Sequence, residues 1–168
     1  TDAARLAAIV DSSYDAIIGK DLTSVITDWN HAAERMFGYT ADEAIGQSIL
    51  MLIPDHLRGE EADIIGRVSN GQSVASYETT RRRKDGTLIA VSLTVSPIRN
   101  VRGEIVGASK IARDISATKE SERRIRLLMR EVNHRVKNQF AVILSMVRET
   151  SKRSSSPGEF EELIRSRI

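Results

Sequence analysis

One histidine stands in a stretch of sequence whose spacing could support nucleophilic chemistry. His134 lies in the run EVNHRVKN, residues 131–138. In a helix, residues four apart lie one above the other, so Arg130 and Asn138 would share the face of His134. An exposed imidazole has a neutral nucleophilic nitrogen at physiological pH. A lone histidine on a polar helix face is nevertheless most often a solvated side chain with no chemical role. Whether His134 is a nucleophile must therefore be judged from the residues around it.

The helix that would carry His134 is long. Residues 117–150 contain no Gly or Pro, and apolar residues recur there at spacings of three and four, which is typical of a bundle or coiled-coil helix. At about 100° per residue, His134 faces away from this apolar stripe. Because one helix cannot bury its own stripe, we predict a homodimer in which two copies of the helix meet. The stripe consists of Ile125, Leu128, Val132, Val136, Phe140, Ile143 and Val147.

The residues before this helix show a different, strand-rich pattern. A lead-in helix is predicted over 1–13, then two short strands within 16–29, and several short helices between 31 and 68. Three longer strands follow at 74–83, 87–97 and 104–111, and Asp-Gly between the first two is a strong hairpin signal. This order predicts an α+β fold, with a five-stranded antiparallel sheet and short helices on one face.

Composition excludes several classes of protein. The chain has no run of 18 apolar residues and no signal peptide, so we expect a soluble, cytoplasmic segment, with membrane attachment of a longer parent protein left open. It has no Cys and three well-separated His, so we expect no metal site. Residues 117–168 carry 12 Lys and Arg against 7 Asp and Glu, but they lack the interleaved aromatics of nucleic-acid readers. We therefore expect no nucleic-acid partner.

Four motifs in the first 116 residues resemble those of PAS domains, in the family's order. They are WNHAAERMFGY at 29–39, EAIGQ at 43–47, RKDG at 83–86 and RDIS at 113–116. The run at 131–138 resembles the phosphoacceptor box of the HWE group of sensor histidine kinases. The segments SPGEF at 156–160 and RSRI at 165–168 resemble the start of that group's second dimerisation helix.

These resemblances imply an organisation in four parts. A lead-in helix over 1–13 precedes a PAS sensor domain over 14–116. The connector and the first phosphoacceptor and dimerisation helix then occupy 117–153, and a turn and the start of a second, antiparallel dimerisation helix occupy 154–168. The second part of that domain would be truncated at residue 168.

The resemblance to the HWE kinases also implies a chemical role for the face of His134. His134 would accept the γ-phosphoryl group of ATP with Mg²⁺, and a response-regulator Asp would receive it next. Asn138 would orient the imidazole. More common histidine kinases have an acidic residue after the phosphorylated His, where this chain has Arg135. Glu131, three residues before His134, is therefore a candidate base.

Residues 1–168 contain no nucleotide-binding motif. We expect this segment to be inactive alone and to accept phosphate only with the ATP-binding domain of the same protein. Two alternatives stay open: a PAS-coupled dimerisation module with a degenerate His134, and a phosphotransfer module without kinase activity of its own.

PAS domains share an interior site whose ligand differs among members, so each cofactor must be tested on particular residues. Ile49 occupies the position of the reactive cysteine of LOV photosensors, which excludes a LOV-type flavin adduct. Glu61 aligns with the haem-ligating His of oxygen sensors and is a poor ligand, and His56 lies one turn too early. Trp29 could form the rim of a pocket for non-covalent flavin. A small metabolite or no ligand is favoured over either cofactor.

The run RRRK at 81–84 could suggest a phosphate site. On a strand, only two of these four side chains can point to the same face. We therefore interpret the run as part of a solvated hairpin.

Overall fold

A computed structural model describes residues 1–167, and Ile168, the last residue of the predicted second dimerisation helix, lies outside the described residues. The chain divides into two compact units, which we call the sheet unit (Thr1–Lys119) and the helical unit (from Glu120 onward). Within the described residues, no helix is both long enough and apolar enough to cross a membrane.

The sheet unit is built on five antiparallel strands: β1 (Ala16–Asp21), β2 (Ile26–Trp29), β3 (Val74–Arg82), β4 (Leu88–Arg99) and β5 (Ile105–Asp114). Their order across the sheet is β2-β1-β5-β4-β3. The predicted five-stranded antiparallel fold is therefore confirmed. The last strand is longer than the predicted 104–111, because β5 stays paired with β4 as far as the partners Asp114 and Val91.

Short helices connect the second and third strands. The α-helices of this unit are α1 (Asp2–Asp11), α2 (His31–Phe37), α3 (Ala41–Ala44) and α4 (Gly59–Ser69), and 3₁₀ turns occupy Ile49–Leu52 and Asp55–Leu57. Asn30 caps α2, since its Oδ1 accepts from the amides of Ala33 at 3.0 Å and of Ile17 at 2.9 Å. One side chain thus starts α2 and ties it to β1. Gly38 ends α2 with φ of +82°, which favours glycine.

One face of the sheet forms the core against these helices. Alternate residues of β4, among them Ile89, Val91 and Leu93, are buried there and meet Phe37 from α2. A second cluster joins Ile64 and Val68 of α4 to the other end of the same face. The helix-facing positions of β1, β3 and β5 are thereby enclosed between the sheet and α4.

The other helices are α5 (Ser116–Arg153), whose first turn belongs to the sheet unit, and α6 (Pro157–Arg165). Asp114 accepts the Ser116 amide at 2.9 Å where α5 begins. Ser156 Oγ accepts the Glu159 amide at 3.2 Å, and the Glu159 carboxylate accepts from the Ser155 amide at 3.0 Å, so two side chains cap α6. The predicted long helix and the turn into a second helix are both present.

Candidate functional site

His134 lies on α5 with its side chain exposed to solvent. The amide Nδ2 of Asn138 lies 3.4 Å from Nδ1 of His134, one turn further along the helix. The spacing of four residues brings the two side chains together, as the sequence predicts. The amide therefore contacts Nδ1 of an exposed imidazole, and no hydrogen bond of the described residues involves Nε2.

The orientation of the Asn138 amide decides which nitrogen of His134 is nucleophilic. If Nδ2 donates to Nδ1, the ring proton sits on Nε2 and that nitrogen has no free lone pair. If the amide is turned by 180°, Oδ1 accepts from Nδ1–H and Nε2 has a free lone pair. The oxygen and nitrogen of a side-chain amide are assigned from the hydrogen-bond network, and the same contact serves both tautomers.

Glu131 does not contact His134 by any hydrogen bond in the described part of the chain. Its carboxylate instead accepts from Arg135 at 2.7 Å, across one turn of α5. Glu131 precedes Arg135 by four residues, which is the favourable order for an ion pair on a helix. The carboxylate of the candidate base is thus paired with Arg135 and not with the imidazole.

Most of the predicted apolar stripe on α5 is exposed, and only its last member, Val147, is partly buried. Six of its members are 43–61% exposed. Four further apolar residues are also exposed, and Leu127 lies two turns before His134 on the same face, outside the predicted stripe. The exposed stripe comprises Ile125, Leu128, Val132, Val136, Phe140 and Ile143, and the additional residues are Leu127, Met129, Val142 and Leu144.

The sheet unit contains a second group of side chains that could take part in binding or chemistry. We call it the buried charge cluster, and it consists of Lys20, Glu60, Glu61, Arg81 and Lys110. Glu61 pairs with Lys20, and Glu60 accepts from Nη1 of Arg81 at 2.9 Å. Both carboxylates come from the first turn of α4. Two ion pairs therefore attach this helix to strands β1 and β3.

The interpretation of residues 81–84 as a solvated hairpin is wrong for Arg81. Its side chain is buried on the helix-facing side of β3, where Glu60 neutralises one end of the guanidinium. Lys84, in contrast, lies in the turn and pairs with Glu43 at 2.6 Å near the surface. Strand alternation alone does not show which of the two faces is buried, and the Glu60 partner is 21 residues away.

Lys20 and Lys110 were not predicted as site residues, although both occupy inward positions of apolar strands. Lys20 follows Ala16 and Ile18 at alternate positions, and Lys110 lies between Ala108 and Ala112. Burial, with repulsion from Lys20, lowers the pKa of Lys110 to about 7. The sequence did contain a signal for their burial: each lysine occupies a position at which the alternating apolar residues of its strand point into the core.

Trp29 lies in the core and is only 7% exposed. Its indole N–H donates to the carbonyl of Tyr39 at 3.0 Å, and its ring centroid lies 5.7 Å from that of Phe37. These contacts place the indole among packed side chains of α2.

Comparison with protein families identifies two matches. Residues 4–115 match the family model described as PAS fold, and residues 131–168 match the model of the HWE histidine kinase. The chain is 31% identical over 158 residues to the signal transduction histidine-protein kinase AtoS of Escherichia coli strain K12. It is 28% identical over 134 residues to the sensor protein FixL of Bradyrhizobium diazoefficiens.

These alignments cover most of this chain but little of the relatives. They include 89% of the chain and 26% of AtoS, and 77% of the chain and 26% of FixL. The chain therefore spans about a quarter of the length of these two curated relatives. It is homologous to sensor histidine kinases over its PAS and phosphoacceptor segments.

Solved structures share the fold of the sheet unit. The PAS domain of a protein from Colwellia psychrerythraea aligns with a TM-score of 0.64 and 31% identity, over 70% of this chain and 99% of that domain. The LOV protein of Rhodobacter sphaeroides aligns with a TM-score of 0.58 and 18% identity, over 67% of this chain and 66% of that protein. The second similarity concerns the fold alone.

At two positions, this chain lacks the side chains that form the LOV-type flavin adduct and that ligate haem in other PAS domains. Ile49, at the position of the LOV cysteine, is buried in the core, and the chain has no Cys that could form the adduct. Glu61, at the position of the haem ligand, is bound by Lys20 and by Ser24 Oγ at 2.9 Å. In residues 1–167, no group of three or more His, Cys, Asp or Glu could hold a metal ion.

Proposed function

This chain belongs to the PAS-fold family, and from that premise we propose that it is the sensory and phosphoacceptor part of a two-component sensor histidine kinase, with His134 as the phosphorylated residue. We assign sensing to residues 14–116 and phosphate acceptance to 117–153. The remaining ATP-binding domain of the same protein supplies ATP and Mg²⁺, and a response regulator receives the phosphoryl group on an Asp.

The contact between Asn138 and His134 carries this proposal. It holds one imidazole nitrogen on an exposed helix face, in a segment that matches the HWE histidine kinases. Asn138 Oδ1 accepts from Nδ1–H, and the lone pair of Nε2 attacks the γ-phosphorus of ATP. The N–P bond forms as the bond to the β,γ-bridging oxygen breaks, and ADP leaves with that electron pair.

In this scheme the attacking nitrogen is already unprotonated. The ring proton stays on Nδ1, so no base has to remove a proton before the attack. Glu131 therefore acts through Arg135: their ion pair leaves the guanidinium one residue from His134, where it favours an incoming phosphate. A general base is not required in this scheme, so we do not assign that role to Glu131.

The first experiment locates the phosphate. The full-length kinase that contains this segment is incubated with Mg-ATP, and acid-labile, alkali-stable phosphate is measured on wild type and on His134→Ala. We expect the variant to lose this phosphate completely. His56→Ala, which removes another exposed histidine from the sheet unit, is the matched control and retains it. Equal phosphate on His134→Ala and wild type refutes the assignment.

The second experiment tests the role of Asn138 in the same kinase. Asn138→Asp keeps an oxygen acceptor for Nδ1–H, so we expect it to keep most of the phosphorylation rate. Asn138→Ala removes the acceptor, and we expect a loss of about tenfold or more, on the order of one oriented hydrogen bond. If Asp and Ala at this position reduce the rate equally, the amide does not select the tautomer.

A further inference from the structure

The buried charge cluster contains more positive than negative charge. Lys20, Arg81 and Lys110 are each 1–3% exposed, and Glu61 is 4% exposed. With Glu60 there are three basic groups and two carboxylates in one enclosed region between the sheet and α4. When all five are ionised, one positive charge has no counter-charge within the cluster.

The excess appears as specific unpaired donors. Nη1 of Arg81 donates to Glu60 at 2.9 Å and to the carbonyl of Thr80 at 2.9 Å, whereas Nε and Nη2 are buried and have no partner. Nε and Nη2 form one edge of the planar guanidinium, the edge that binds two oxygens side by side. Lys110 has no ion pair or side-chain hydrogen bond among the described residues.

Such donors are rarely left in a protein interior for stability alone. A buried, unpaired polar group destabilises a fold, and a buried unpaired charge does so more strongly. Native proteins satisfy nearly all buried donors, and the exceptions need an explanation. Here the buried atoms without a partner are Nε and Nη2 of Arg81 and the carboxylate oxygen Oε2 of Glu61, whose other oxygen is held by Lys20 and Ser24.

We propose that the buried charge cluster is a binding site for a small carboxylate, whose two oxygens are held by Nε and Nη2 of Arg81 and by Nζ of Lys110. When Lys110 is protonated, one carboxylate neutralises the one excess positive charge, and its planar pair of oxygens matches the free edge of the guanidinium. A phosphate dianion would instead leave the cluster negatively charged. This site is independent of the phosphate chemistry proposed for His134.

The surroundings restrict the size and the route of the ligand. A cavity of about 120 Å³ shares Glu60 with the cluster but is not lined by Arg81 or Lys110. Its other lining residues are Asp63, Ile64, Arg67, Val74 and Tyr77. That volume suits a molecule of only a few heavy atoms. Because the free edge of Arg81 is not accessible to solvent, α4 has to move outward to admit the ligand. Binding is thereby coupled to the two ion pairs that attach α4 to the sheet.

The test observes the Arg81 side chain directly. The ¹⁵N-labelled chain of residues 1–168 in chloride buffer is titrated with sodium acetate and sodium succinate at constant ionic strength, and the arginine Nε–H signals are followed by NMR. We expect one signal to shift saturably, and we expect Arg81→Gln to lack it. Arg102→Gln, which removes an exposed turn arginine, leaves the titration unchanged.

A second variant keeps the test decisive if Arg81→Gln fails to fold. Lys110→Met removes an unpaired donor and should fold, and we expect its carboxylate affinity to fall by about tenfold, the effect of one charge-assisted hydrogen bond. The proposal is overturned if neither carboxylate shifts an Nε–H signal, if the same shift persists in Arg81→Gln, if Lys110→Met binds as tightly as wild type, or if chloride or phosphate produces the saturable shift instead.

Discussion

The two units depart from ordinary globular proteins in opposite ways. The sheet unit buries charged side chains, among them Lys20 and Lys110, next to a complete apolar core. The helical unit keeps its charges in solvent and exposes apolar side chains such as Val132 and Phe140. Charged side chains are rarely fully buried unless they are paired, and a large contiguous exposed apolar surface marks an interaction site in many proteins. The difference agrees with the two proposals, a small ligand for the sheet unit and a second protein chain for the helical unit.

The largest expected effect compares one phenylalanine in each unit. Phe37 is buried in the core, so Phe37→Ala should reduce the free energy of unfolding by about 3–5 kcal/mol. Phe140 is exposed, so Phe140→Ala should change the unfolding of the sheet unit by less than about 0.5 kcal/mol. Urea denaturation followed by fluorescence of Trp29, the single tryptophan, reports on the sheet unit for both variants. Similar losses of unfolding free energy in the two variants would contradict the assignment of Phe37 to the core and Phe140 to an exposed face.

The next effect concerns the charge that the sheet unit buries. Lys110 has a pKa of about 7 in the fold, against an ordinary value of 10.5. Between these values the unfolded chain binds one proton more than the folded chain, so stability rises with pH through this window and the full penalty is present below pH 7. Lys110→Met should therefore stabilise the fold at pH 7 by on the order of a few kcal/mol.

Urea denaturation of both proteins at several pH values between 6 and 10 measures this effect. The rise of stability with pH should be smaller in Lys110→Met than in wild type. Some rise should remain, because burial also lowers the pKa of Lys20. Identical pH profiles for wild type and variant would show that Lys110 finds a counter-charge in solution.

A smaller effect tests the partner of the helical unit. We expect the chain to dimerise through the stripe on α5, and an Asp at Val132 would place two charges in the seam. Val132→Asp should raise the dimer dissociation constant by about tenfold or more, which corresponds to about 1.4 kcal/mol. Asn133→Asp introduces the same side chain next to the stripe and should have little effect. Light scattering distinguishes them, and a monomeric wild type at high micromolar concentration would end the dimer hypothesis.

Local signals predicted the secondary structure and the His134 face. Asn30 caps α2 because cap chemistry is encoded within three residues, and Asn138 meets His134 because helical spacing fixes neighbours four apart. The buried charge cluster could not be assembled in the same way. Glu61 is 41 residues from Lys20 in sequence, and no local rule pairs them. The burial of Lys20 and of Lys110, however, could have been predicted, because apolar residues lie at alternate positions beside each of them in its strand.

The last prediction concerns the start of α5, where the sheet unit continues into the helical unit. Ile115 N–H donates to the carbonyl of Ala90 at 3.0 Å, and Lys119 pairs with Glu78 of β3 at 2.6 Å, so the first turn of α5 is attached to the sheet. From there α5 continues to Arg153 without Gly or Pro. We propose that a shift of the sheet rotates or tilts the stripe and changes the access of the kinase domain to His134 by population shift.

Insertions between Ser116 and Ile125 test this coupling. One added residue rotates everything after it by about 100°, whereas seven added residues make nearly two turns and restore the orientation to within about 20°. In the full-length kinase, insertions of one to three residues should therefore alter or uncouple autophosphorylation, and a seven-residue insertion should largely preserve its regulation. The short and the seven-residue insertions can have similar amino-acid composition, so they differ mainly in how far they rotate the helix after the insertion. Autophosphorylation that is indifferent to insertion length would mean that the connector is a flexible tether, and that α5 passes no rotation from the sheet to His134.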